Sequence, residues 1–230
     1  MFRVRFLSLV LVALAPLLAG CDGDEPTIVL LVADATDTSS RAVDVEAFTD
    51  RVEATCDECR VTVYDAEGDV EAQKRQVRQA EADAADALVV VPVEPDALGN
   101  VGDDEIPIVS LGTLVPGSDR FVGVEGGEVP RQDGTDLEAA REVLLDEEDS
   151  MTYVPTRAMS EQAADVAVAF LADLPAQGGE EVDGVETWLF RDRDVTIDSL
   201  TSVLVGERVI TLDELCEGTA AKRCARLGLR

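Results

Sequence analysis

The residues of this 230-residue chain best suited to chemistry are its five cysteines, and their positions divide them one plus four. Cys21 closes an apolar run. Cys56 and Cys59 flank Asp57 and Glu58, and Cys216 and Cys224 lie near the carboxyl end. If Cys21 is used separately, the other four pair locally as two short structural disulfides in an oxidising compartment. Two other chemistries use the same residue types. Cys56-Asp-Glu-Cys59 has redox spacing, although acidic residues between the thiols raise rather than lower the thiolate pKa. The four could also ligate zinc, although the second pair is spaced too widely for the usual hook. The chain contains no histidine. That excludes Ser-His-Asp and Cys-His catalysis and histidine-ligated zinc. No glycine-rich phosphate loop and no tight carboxylate pair stands in one motif, so no enzymatic reaction and no cofactor is expected.

Cys21 has its own context. Arg3 and Arg5 precede an apolar run over residues 6–18, and Leu18-Ala-Gly-Cys21 follows. The run is shorter than the roughly 20 residues of a spanning helix, and the pattern reads as a secretory signal. Its cysteine-ended form resembles the lipobox of bacterial lipoproteins. The resemblance implies a signal peptide over residues 1–20, acylation of Cys21, a lipidated tether over residues 21–26, and an extracytoplasmic protein anchored to a membrane. An uncleaved anchor and an ordinary signal peptide are the alternatives. The net charge of −29, with two lysines against seventeen arginines, excludes electrostatic binding to nucleic acid.

The remainder is long enough for one large domain or two small ones. Residues 27–33 form a continuous apolar run, as a buried parallel strand does. Ser39 and Ser40 are placed to cap a helix carrying Val45, Phe48 and Val52 on one face. Further strands are expected over residues 60–64, 87–93, 106–111 and 120–125, with a helix over residues 69–83 between the first two of these. This alternation predicts an α/β fold with an open, mostly parallel sheet covered by helices on both faces. After Gly126-Gly127 the rhythm changes. A short acidic helix is expected over residues 136–145, a brief strand over 151–154 and an amphipathic helix over 160–174 with Phe170 and Leu174 inward. A loop follows over 177–184, and 185–190 and 203–210 read as extended, with a helix tail and hairpin as the alternative for the second.

Taken in order, these segments resemble the xylose-type sugar-binding lipoproteins of bacterial ABC importers, of the type I periplasmic-binding-protein family. Thr27-Ile-Val-Leu-Leu-Val-Ala-Asp34 is similar to their opening strand, and Ala87-Leu-Val-Val-Val-Pro-Val-Glu94 to a "VLVVDPVD"-like strand. Ile106-Pro-Ile-Val-Ser110 is similar to "IPVISYDR", Gln132-Asp133 to a late "GQDA" motif, and Asp149-Ser-Met-Thr-Tyr-Val-Pro155 to "QSMTVYKP". Residues 56–66 and the tail from Val195 through Cys224 resemble cysteine-bearing segments of the same family. The resemblance implies a complete first lobe over residues 27–128. Residues 129–230 would be a reduced second lobe, represented by 151–154, 185–190 and the tail, with one helix returning to the first lobe. The implied partners are a small-molecule sugar and an ABC permease.

In an open parallel sheet, ligands sit beyond the carboxyl ends of the strands. Those ends carry Asp34, Asp65, Glu94, Ser110 and Glu125. Asp34, Arg41, Asp44, Glu94, Ser110 and Asp133 are the candidate ligand-binding residues. The loop after the first strand has no aromatic residue to stack on a sugar ring, and Trp188 reads as core. The shortened second lobe and the missing stacking partner together imply a weakened or lost sugar site. A membrane-tethered interaction module or homodimer is the alternative, and an exposed apolar face where the second lobe belongs would mark it.

Overall fold

The computed structural model describes residues 25–37, 42–99, 106–132 and 134–229. Residues 1–24, which include the expected signal peptide and Cys21, lie outside the described residues, as do Ser39, Ser40, Arg41 and Asp133. Among the described residues no helix is long and apolar enough to cross a membrane.

The alternation of the first hundred residues folds as its periodicity requires. Strands β1 (Thr27–Val32), β2 (Arg60–Asp65), β3 (Ala87–Val90), β4 (Ile108–Gly112) and β5 (Arg120–Val124) pair in parallel in the order β2-β1-β3-β4-β5. Helix α1 (Val45–Thr55) covers one face of this sheet and α2 (Val70–Ala82) the other. Side chains of successive strand residues point to opposite faces. Accordingly Ile28, Leu30 and Val32 pack with Phe48 and Val52 of α1, and Val29 and Leu31 with Val77 and Ala80 of α2. Each such aliphatic side chain removed from water contributes about 1.5–3 kcal/mol. Both helices begin on an aspartate: Asp44 accepts the Ala47 amide at 2.9 Å, and Asp69 the Ala72 amide at 2.9 Å. The α1 cap is thus Asp44, which stands directly before the first helical residue, and not the serines farther upstream.

Beyond β4 the sequence is less direct. Helix α4 (Thr156–Leu171) returns to the first face and packs along α1 through Met159, Ala163, Val166 and Ala167. Arg51 of α1 and Asp165 of α4 join in a bidentate pair at 2.7 and 2.8 Å. The expected helix over 160–174 therefore begins earlier, immediately after Pro155, and ends earlier. Asp173 takes a left-handed conformation, and Leu174 is 60% exposed instead of inward.

Strand β8 (Val185–Phe190) extends the main sheet parallel to β5, with Val122 opposite Trp188, and β7 (Glu180–Val182) pairs antiparallel to β8. Residues 185–190 thus belong to the first unit and not to a reduced second lobe. The physical reason is the otherwise open apolar edge of β5, which β8 closes while burying Trp188; the indole donates to the Gln177 carbonyl at 2.8 Å. Arg120 locks this corner. Its guanidinium lies 3.9 Å over the Phe170 ring and pairs with Glu186 at 2.9 Å.

A small second unit holds its own core. It comprises α3 (Asp136–Leu144), an antiparallel pair β6 (Ser150–Tyr153) and β9 (Arg193–Thr196), a π-helical turn (Thr201–Val205), α5 (Leu212–Leu215) and α6 (Ala221–Leu227). Val143, Leu144, Val195, Leu200, Leu204 and Leu215 fill it. Residues 203–210, read as extended or as a helix tail and hairpin, begin as the tail of the π-helical turn and its exit, because burying both Leu200 and Leu204 on one side requires helical spacing. Cys56–Cys59 and Cys216–Cys224 are closed as disulfides, with Cα atoms 5.4 and 5.8 Å apart. Neither pair offers the free thiolates that a zinc site needs.

Candidate functional site

Parallel strands all discharge their loops at one edge, and here that edge faces the second unit across a cleft of about 630 Å³. This lies within the roughly 300–1,000 Å³ of ordinary small-molecule sites. The first unit lines it with Asp34, Ala35 and Asp37 after β1, with Val43, Asp44 and Val45 entering α1, and with Val63 of β2. From the second unit and its connections come Thr135, Asp136, Tyr153, Val154, Arg208 and Val209, and α4 adds Thr156 and Arg157. The amino-terminal ends of α1, α3 and α4 all border the cleft, so their partial positive charge offsets some of the carboxylate charge gathered there.

Local hydrogen bonding shapes the first wall. Oδ1 of Asp34 accepts from the Thr36 amide at 2.8 Å, the Thr36 hydroxyl at 2.7 Å and the Asp37 amide at 3.2 Å. The Thr36 hydroxyl, seconded by the amides, holds the Asp34 carboxyl below its ordinary pKa. Asp65 accepts from the Ala35 amide at 3.2 Å and ties the same loop to β2. Asp44 caps α1 through Oδ1, while its own amide donates to the Ser160 hydroxyl of α4 at 2.8 Å. Asp37 pairs with Arg131 at 2.7 Å. These bonds fix the loop by geometry that an Ala could not supply.

The second wall is organised by Tyr153, which is 2% exposed. Its hydroxyl donates to Glu207 Oε2 at 2.8 Å, and Arg193 both pairs with Glu207 and stacks 5.1 Å from the Tyr153 ring. Burial, then the bond to Glu207, pushes the Tyr153 phenol well above its ordinary value of 10. Burial alone would raise Glu207 as well, but Arg193 and Tyr153 together hold that carboxyl below the usual range. Arg157 donates to Glu161 at 3.0 Å along α4.

Of the sequence-predicted residues, Asp34 and Asp44 come together at this cleft. Glu94 is exposed at the start of a 3-10 turn (Pro95–Leu98) and stands apart from it. Ser110 is fully buried, its hydroxyl shared with Ser118 at 2.5 Å and with the Val115 amide at 2.9 Å. It faces no opening, because its strand position points toward the loop over residues 113–118. Glu125 is engaged by Arg191 in a bidentate pair at 2.9 and 2.8 Å, which lowers its pKa. Sequence reasoning missed Tyr153, Arg157 and Arg208. Tyr153 lies inside the segment Asp149–Pro155 that the family resemblance had marked, and a tyrosine directly before Val-Pro was the available signal. Arg208 had none, since it reaches the cleft only through the packing of the second unit.

The chain has an α/β fold of the periplasmic-binding-protein-like kind, with a cleft between its two units. No protein-family model and no curated protein matches the sequence. Solved structures do. A solute-binding protein from Clostridium phytofermentans with bound β-D-glucose matches with a TM-score of 0.65 at 12% identity, over 82% of this chain and 99% of that one. A carbohydrate-transporter solute-binding protein from Chloroflexus aurantiacus in complex with D-glucose gives 0.61 at 11%, over 83% and 97%. The myo-inositol-binding protein of Caulobacter gives 0.62 at 12%, over 80% and 98%. At these identities the likeness establishes the fold.

Proposed function

We propose that the protein is a lipid-anchored, extracytoplasmic solute-binding component of a sugar ABC importer, and that the cleft holds a monosaccharide or related polyol of xylose type with reduced affinity. One observation carries the reading. The cleft lies at the carboxyl edge of a parallel sheet, where open α/β sheets bind ligands, and both units line it with charged groups able to bond hydroxyls. The fold supports it, since the similar solved structures hold glucose and myo-inositol. Reduced affinity follows from the walls. The second unit is small, and Tyr153, the one aromatic residue lining the cleft among the described residues, is almost wholly covered and so offers little ring face for stacking. Isothermal titration of the full chain with D-xylose, D-glucose and myo-inositol tests the proposal. A dissociation constant of about 1 mM for at least one of them, worth roughly −4 kcal/mol, is the expected result. No binding of any of the three overturns the solute-binding reading, and a constant near 1 μM overturns the claim of weakened affinity.

A further inference from the structure

Arg208 closes the π-helical turn with φ of +62°. Its amide donates to the Val205 carbonyl at 3.2 Å, and the Val209 amide returns to the Leu204 carbonyl at 2.9 Å. Such a helix exit favours glycine, because a side chain in the left-handed region crowds the backbone. An arginine there carries a backbone cost, as Glu67 and Ala84 do at their own positive φ. What sets Arg208 apart is the place of its side chain, which lines the cleft. The neighbouring charges are committed, Arg157 to Glu161 and Asp37 to Arg131. Among the described residues the Arg208 guanidinium has no hydrogen bond and no ion pair. On the facing wall, Asp34 and Asp44 each use Oδ1 for local amides, and Oδ2 of each has no partner among the described residues.

We propose, resting on the solute-binding reading, that Arg208 is a ligand-gripping residue. Its forked N–H groups donate to the oxygens of two adjacent hydroxyls of a neutral polyol, while the protons of that polyol's hydroxyls go to Asp34 and Asp44. The ligand then bridges the two units. It is neutral and not anionic, because four aspartates border the cleft against two arginines. A carboxylated sugar would meet net repulsion there.

The test compares wild type with Arg208→Gly and Arg208→Lys by titration with D-xylose, D-glucose, myo-inositol and D-glucuronate, alongside thermal unfolding. Ala84→Gly is the control. Ala84 also sits at positive φ (+56°), at the exit of α2 on the opposite edge of the sheet. Arg208→Gly is expected to weaken polyol binding by about tenfold to a hundredfold, the range for a charge-assisted hydrogen bond. Its Tm holds or rises by about 2–4 °C, since glycine relieves the backbone. Arg208→Lys, which keeps the charge but loses the fork, binds between the two. Ala84→Gly matches the Tm gain with wild-type affinity. Equal binding by wild type and Arg208→Gly overturns the proposal, as does a Tm loss in Arg208→Gly of more than about 4 °C, which would mark a structural role. D-glucuronate bound more tightly than D-glucose also overturns it. Failure of wild type to bind any polyol removes the underlying reading too, and wild type alone reports that outcome.

Discussion

Tyr153 gives this protein an alkaline weakness that can be measured almost in isolation. The phenol is 2% exposed and donates to a carboxylate, and burial, then that bond, raises its pKa above the ordinary value of 10. A group whose pKa is raised by folding holds its proton more tightly in the native state than in the unfolded chain. Its stabilisation is therefore complete below pH 10 and is lost as pH climbs toward the native value. The unfolded tyrosine releases its proton while the native one does not, so stability declines by about 1.4 kcal/mol at pH 11. For a chain of this size that is about 3–6 °C in Tm. Few other groups compete in this window. The sequence contains two tyrosines, two lysines and no histidine, and four of its five cysteines are in disulfides.

The perturbation is Tyr153→Phe, and the assay is thermal unfolding followed by circular dichroism from pH 6 to 11.5. At pH 7 the variant loses the hydrogen bond to Glu207 and is expected to be about 1–2 kcal/mol less stable. Between pH 9 and 11 the wild type falls and the variant stays nearly level, so the two curves converge. The acid side has the opposite sign. Arg193 and Tyr153 lower the Glu207 pKa in spite of burial, so its stabilisation is present above about pH 4.5 and is lost as pH falls through the native value. Tyr153→Phe shrinks that acid limb as well. If variant and wild type fall in parallel above pH 9, the buried phenol is not the cause and this reasoning is refuted.

Three further outcomes are expected. Gln73 is fully buried and bonds both the Val91 carbonyl at 2.8 Å and the Val93 amide at 2.9 Å; Gln73→Leu orphans both groups and should cost about 2–4 kcal/mol in chemical denaturation, and a loss below 0.5 kcal/mol contradicts the clamp. Opening Cys216–Cys224 by double replacement with Ala releases an eight-residue loop and should cost about 2.5 kcal/mol, against about 1.6 for the three-residue Cys56–Cys59 loop. The reverse order in Tm would show that strain, not loop entropy, decides. Cys21→Ser should abolish incorporation of a radiolabelled fatty acid into the protein, since acylation needs the Cys21 thiol; absence of label on the wild type rules out a lipid anchor at Cys21.

Much of the first unit was legible because its signals are local. Continuous apolar runs marked β1 and β3, and Asp34 fell at a strand end, where ligands gather. What was not legible depended on pairing across long sequence separation. Residues 185–190 read correctly as a strand, but a six-residue strand carries no label for its sheet, and the open edge of β5 decided it. The short β7 lay in a stretch that reads as polar loop, although Asp183-Gly184, both at positive φ, is the turn a tight hairpin demands. Ser110 was misplaced for a subtler reason. A strand end locates the backbone, and the alternation of side chains then sends that hydroxyl inward.

The persistence of the cleft beside so small a second unit follows from where the chain crosses. Strand β5 leaves the sheet at Glu125, and β8 leaves beside it, with the Glu125 amide donating to the Phe190 carbonyl at 2.8 Å. The Glu125–Arg191 pair ties the two exits together, and α4 enters after Pro155 at the same edge. Whatever the chain builds between these points must stand above the carboxyl edge of the parallel strands, because all three crossings open there. Topology thus sets the position of the cleft, and the size of the second unit sets only how much of a ligand it can cover. Shrinking that unit reduces the area a ligand could contact without moving the cleft.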